Sequence, residues 1–323
     1  MRRIIFVILK VLVSGILLYL ALRKVNFVDL ASRLDIQSVG WIALAFASLL
    51  ASIAAGSLRW RDVSAVCGAP LSFATALRYN LIGAFFNQVL PSSIGGDAVR
   101  LWLVGRNAGW KAAAYSVFVD RVIGIVALTI VIAIGLPWSY RLIGDPHGRA
   151  ALLVIDLSAF AVGGGFLALG LLPWPQRFLP RLRQRWQASH LHACAAMAGR
   201  IVSNRTNGFH IMILSVLVHV LVVTAVWCVA RSITASGSFI HIFSLFPPVT
   251  LMTMLPISIA GWGVRETTMG LAFGYAGLLA AEGVQVSLLF GAVYFAVGAF
   301  GGVIWIFSAE KGTRIETTSL HQS

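Results

Sequence analysis

Two short segments of this chain combine residues suited to holding an anion in an apolar setting. Residues 90–100 read Leu-Pro-Ser-Ser-Ile-Gly-Gly-Asp-Ala-Val-Arg, and residues 255–265 read Leu-Pro-Ile-Ser-Ile-Ala-Gly-Trp-Gly-Val-Arg. They agree at Leu90/Leu255, Pro91/Pro256, Ser93/Ser258, Ile94/Ile259, Gly96/Gly261, Val99/Val264 and Arg100/Arg265. Proline and glycine interrupt helices. An interruption at membrane depth frees backbone N–H and C=O groups, which must face protein or a wet cavity rather than lipid. A helix restarting there offers amides and partial positive charge to an anion. Arg100 and Arg265 add planar forks suited to phosphate. Together with Ser93, Ser258, Gly96 and Gly261 they are candidate contacts for an anionic headgroup. The plainer reading is a capping turn with its arginine anchored at the interface. Two copies in opposite settings favour the binding site.

Other charges lie near or within apolar runs. Asp120 and Arg121 fall inside 113–136, where charge is costly and faces the bundle interior. Asp120 is a candidate partner for Arg100 or Arg265, and Arg121 a second headgroup contact; a structural ion pair is the alternative. Glu266 would balance Arg265, gate a cavity, or sit solvated at an interface. Asn87 and Gln88 would supply polar lining. His219 reads as a satisfied bundle histidine, and Asp156 and Glu282 as interfacial acids without a role. There is no GxSxG, HExxH, Walker loop or CxxC. Cys67, Cys194 and Cys228 stand far apart and read as small apolar filler. No catalytic residue, cofactor or metal is expected.

The elements that must position these residues are membrane helices. Apolar residues make up 59% of 323 and charged residues 11%, against about 25% charged in soluble domains. A net charge of +14 would suggest nucleic acid in a soluble protein. Here the arginines fall between apolar spans, so anionic lipid and topology account for them, and no nucleic-acid partner is expected. Stretches 4–22, 38–58, 113–136, 150–172, 208–231 and 284–308 are each near the roughly 20 residues a spanning helix needs. The first, after Arg2 and Arg3, is too long for a signal-peptide core and reads as an uncleaved span, with Lys10 facing protein or snorkelling. Segments 79–95 and 239–281 are apolar but broken, and they carry the two motifs.

The connection 173–207 holds six arginines and no acid, which places it in the cytoplasm. Phe178, Leu182 and Trp186 beside Arg177, Arg181 and Arg185 suggest an amphipathic helix in the headgroup layer; a solvated loop fits equally. Working outward, both termini come out cytoplasmic, with 309–323 a short tail. Arg23, Lys24 and Arg33 fall on the opposite side, against the trend. One motif is then entered from inside and the other from outside. The expected fold is an all-α polytopic bundle within a single domain, 1–308. It has about six full spans plus two broken hairpins, in an inverted repeat with halves near 1–136 and 150–308.

With Leu90 to Arg100, Asp120-Arg121 and Pro256 to Glu266 in view, the chain resembles the lysylphosphatidylglycerol synthase transmembrane-region family, or flippase-like domain proteins, over about 4–308. The resemblance implies a bacterial cytoplasmic-membrane protein that moves lipids between leaflets. Multifunctional relatives fuse this region to a cytosolic synthase. This chain ends fifteen residues after its last span, so lipid aminoacylation is not expected of it. Membrane lipids with anionic headgroups, and a separate lipid-modifying enzyme, are the expected partners. The rival readings are a membrane transferase using Asp97, Asp120 or Glu266 on a lipid-linked substrate, and a non-transporting partner subunit.

Overall fold

The computed structural model describes residues 12, 15–23, 27–90, 95–171, 186–204, 206–254, 258 and 261–308. Ten helices of twelve residues or more organise them: α1 Ile36–Val66, α2 Phe73–Val89, α3 Gly95–Ala108, α4 Trp110–Leu142, α5 Pro146–Leu171, α6 Trp186–Ser203, α7 Asn207–Ser232, α8 Phe239–Thr253, α9 Val264–Tyr275 and α10 Ala280–Phe307. Of these α1, α4, α5, α7 and α10 are long and apolar enough to cross a membrane. They contain five of the six expected spans. Most of the sixth, 4–22, lies outside the described residues, but 15–22 is helical. The stripe at 177–185 and the tail 309–323 also lie outside them.

Local chemistry sets the helix ends. Asp35 and Ser38 form a reciprocal capping box that starts α1. The Ser72 hydroxyl accepts the Thr75 N–H at 3.1 Å and starts α2. Leu90 precedes Pro91 and is extended, with ψ 140°, because proline disfavours helical geometry in the residue before it. Pro247 and Pro248 sit inside α8, where they lack the N–H groups that Phe243 and Ser244 carbonyls need. The Ser139 hydroxyl of α4 lies 3.1 Å from that Ser244 carbonyl oxygen and 3.0 Å from Gly135 O, sharing its proton between its own helix and the freed acceptor.

Residues 95–108 are helical, so the first motif joins two packed helices, α2 and α3. Segment 239–281 is a pair of helices of 15 and 12 residues. At 1.5 Å per residue neither arm spans a core of about 30 Å. This is the geometry of a re-entrant hairpin. Within the connection 173–207, α6 packs on α5 and buries Cys194, Ala195, Ala198 and Ile201.

Helix packing relates the two parts of the chain. Ser48 Oγ donates to Leu221 O at 2.8 Å, Ser38 Oγ bonds Ser232 O, and Asp62 lies 3.8 Å from His210. Thus α1 and α7 run antiparallel. Exchanging α1–α4 with α7–α10 maps the packing onto itself. The contact α2–α10 matches α8–α4, α2–α3 matches α8–α9, α3–α4 matches α9–α10, and α1–α4 matches α7–α10. Antiparallel corresponding helices are the packing of an inverted repeat, with α5 and α6 between its parts. Close approach at the α2–α10 seam requires glycine: a Cβ at Gly301 would lie 1.9 Å from Leu81 O. Large apolar side chains such as Leu44, Leu157, Phe160, Ile213 and Phe295 stay exposed on the outside, as lipid-facing positions do.

Candidate functional site

A cavity of about 390 Å³ lies between the two sets of helices. Ser52, Gly56 and Arg59 recur on one face of α1, and Asn80, Gly83, Asn87 and Gln88 on one face of α2. Asp97 and Arg100 enter from α3, and Asp120 and Arg121 from α4. The opposite wall is mostly apolar: Val218 and Val222 from α7, Phe246 and Thr250 from α8, Phe290 and Tyr294 from α10. Arg265 of α9 is its charged member. Arg100 and Arg265, one from each motif, therefore line the same hollow.

The polar wall is a chain of ion pairs. Asp120 accepts from Arg59 Nε at 2.8 Å on one oxygen and from Arg100 Nη2 at 2.9 Å on the other. Arg100 Nη1 reaches Asp97 at 3.2 Å. Arg121 Nε donates to Asp97 at 2.8 Å, and its Nη2 also contacts that carboxylate. The Arg100 guanidinium stacks on Trp60, 3.9 Å from the ring centroid. Among the described residues three arginines thus share two aspartates, leaving one surplus positive charge. Arg265 forms a separate neutral unit. Its Nη2 is 2.8 Å from Glu266, its Nε is 3.1 Å from Ser287 Oγ, and Ser287 donates to Glu266 at 3.0 Å.

The family described as Lysylphosphatidylglycerol synthase TM region matches residues 7–302. The chain belongs to this family. Both motifs and every residue of the cavity wall lie inside the matched span. No curated protein and no solved structure matches the chain.

In this lysylphosphatidylglycerol synthase TM-region protein, the residues singled out from sequence do not share one role. Arg100, Arg121, Asp120, Arg265 and Asn87 line the cavity. Asp120 pairs with Arg100 and not with Arg265. Arg121 is held by Asp97. Ser93 lies outside the described residues. Ser258 is buried away from the cavity, and its hydroxyl has no partner among the described residues. Gly96 is a packing residue: a Cβ there would lie 2.2 Å from Gly83 O. Gly261 forms a turn at φ +78°, a region glycine adopts freely.

The expected amide donors are partly consumed by the protein. Gly96 N–H donates to Asn87 Oδ1 at 2.8 Å, and Gly263 N–H to Glu266 Oε2 at 2.6 Å. Glu266 is fully buried, so it is not a solvated acid. It caps α9 and neutralises Arg265 within the bundle. Asp156 and Glu282 are buried within the bundle. Glu282 accepts from Arg33 at 3.2 Å and from the Ser236 N–H at 2.8 Å. His219 Nε2 is 2.9 Å from Gly124 O, as a satisfied bundle histidine should be.

Arg59, Asn80 and Tyr294 were not among the sequence candidates for the site. Arg59 follows the apolar run 38–58 and falls just outside that expected span. In the fold α1 continues to Val66, which carries Arg59 into the bundle. The signal available in sequence was the spacing Ser52, Gly56, Arg59, one polar and small face within an apolar helix.

Proposed function

We propose that this chain is a lipid translocase that moves a phospholipid or glycolipid with an anionic or phosphate-containing headgroup between leaflets. The observation that carries this reading is that Arg100 and Arg265, from two interrupted segments of an inverted-repeat bundle, face one cavity. A polar wall with one surplus positive charge suits a monoanionic headgroup. A wall of Val218, Val222, Phe246 and Phe290 suits the apolar region of the same molecule. Inverted repeats with broken helices at their interface place substrates there and alternate access around them. The chain works in a bacterial cytoplasmic membrane, with both termini cytoplasmic.

The transferase reading loses support from the same geometry. Asp97, Asp120 and Glu266 each accept charged or backbone donors on their oxygens. Carboxylates so engaged have both oxygens held by protein donors rather than open to a substrate proton.

Purified protein in liposomes with labelled phospholipids and glycolipids tests the proposal. Leaflet exchange that falls in Arg100→Ala and Arg265→Ala liposomes supports it. Lipid modification without exchange would establish the transferase instead. Exchange only on adding a second protein would establish the partner-subunit role.

A further inference from the structure

We propose that Arg59, which carries no assigned role, is the residue that grips the phosphate in this cavity; the inference rests on the translocation reading and sharpens it. Four guanidinium groups line the hollow, but they are not equally free. Arg100 spends both terminal nitrogens on Asp97 and Asp120. Arg121 spends Nε and Nη2 on Asp97. Arg265 spends Nε and Nη2 on Glu266 and Ser287. Arg59 is tethered only through Nε, to Asp120 at 2.8 Å. Its Nη1 and Nη2 have no acceptor among the described residues.

A phosphate is best held by two parallel N–H donors of one fork. Of the four, only Arg59 has neither terminal nitrogen engaged by a described residue. The tether to Asp120 orients the group, so little rotamer freedom is lost on binding. Its terminal nitrogens lie beside Gly124 of α4, 3.4 and 3.7 Å from where a Cβ would stand. The missing side chain keeps the fork unobstructed. Arg59 also belongs to the cluster of three arginines on two aspartates, whose surplus charge one phosphodiester would neutralise. In this arrangement Arg100 is a positioning residue: it holds Asp120, which holds Arg59.

The test pairs binding with transport. Wild-type protein in detergent is titrated with short-chain dihexanoylphosphatidylglycerol and, separately, with inorganic phosphate, followed by calorimetry. Liposomes carrying the same protein report leaflet exchange. Arg59→Gln is expected to weaken binding of the short-chain lipid by about 10- to 100-fold, the scale of a lost charged hydrogen-bond pair. Arg59→Lys keeps the charge without the fork and is expected to lose about tenfold. Gly124→Val keeps every charge, crowds the fork, and is expected to weaken binding while the melting temperature holds. Wild-type affinity in folded Arg59→Lys and Gly124→Val, with wild-type exchange intact, overturns the role of Arg59 and leaves translocation standing. Absence of exchange by wild type overturns translocation. Phosphate bound as tightly as the lipid makes a free anion the ligand and keeps the fork. A wild type that binds neither probe overturns the phosphate site.

Discussion

Arg100 and Asp120 are joined at 2.9 Å across the α3–α4 seam, and the other oxygen of the same carboxylate holds Arg59 at 2.8 Å. Asp120 is therefore the junction of the polar wall, 2% exposed and gripped from two helices. Neutralising it strands two guanidinium groups in a low-dielectric interior. Asp120→Ala is expected to destabilise the protein by about 3–5 kcal/mol, the cost of breaking a buried ion pair from one side. Thermal unfolding in detergent measures this. A variant within about 1 kcal/mol of wild type would mean that water already solvates the cluster.

The α2–α10 seam predicts a second outcome. Gly301→Val must push against the Leu81 carbonyl, which stands 1.9 Å from an ideal Cβ. Backbone cannot yield there as a side chain does, so a loss of about 1–3 kcal/mol or more is expected. Gly164→Ala is the control: nothing lies within 4 Å of it, and helix propensity favours alanine by up to about 1 kcal/mol. Unequal melting temperatures in that order confirm the seam; equal ones refute it.

The two prolines of α8 make a third. Ser139→Ala removes the hydroxyl beside the Ser244 carbonyl and should cost roughly 1 kcal/mol, as interhelical hydrogen bonds in membranes do. Pro248→Ala restores the helix's own donor. The Ser139→Ala penalty should shrink in the Pro248→Ala background, and a double-mutant cycle with no coupling would contradict the assignment.

Cysteine chemistry supplies a pH-dependent expectation. Burial pushes the Cys67 thiol from 9.0 up to about 12, and the Cys194 thiol up to about 11. Both stay protonated through neutral pH, and only the thiolate reacts. Iodoacetamide at pH 8 should label neither in folded protein and both after SDS denaturation, as read by mass spectrometry. Unfolding exposes thiols of lower pKa, so their contribution to stability is intact below about 9 and is lost as pH rises toward the folded values. Rapid labelling of native protein at pH 8 would show that the sites open.

Much of this protein was legible in its sequence because hydropathy is a local property. The long apolar runs that became α1, α4, α5, α7 and α10 each carry their own membrane preference, whatever packs beside them. The paired motifs were visible for the same reason: proline and glycine break helices by their own covalent geometry. From this the chain's class, its broken hairpins and its family followed. Pairing was not legible, because it depends on where helices end and what they meet. Arg59 stands just past the expected span 38–58, and it reaches Asp120 of α4 only because α1 runs on to Val66. Gly96 looked like a ligand contact until the fold set it against a backbone carbonyl, and of the readings open to Glu266 the fold shows the balance of Arg265, in a buried cap. Which arginine keeps a free fork is a question of how many acceptors surround it in space, and only the tertiary structure decided that.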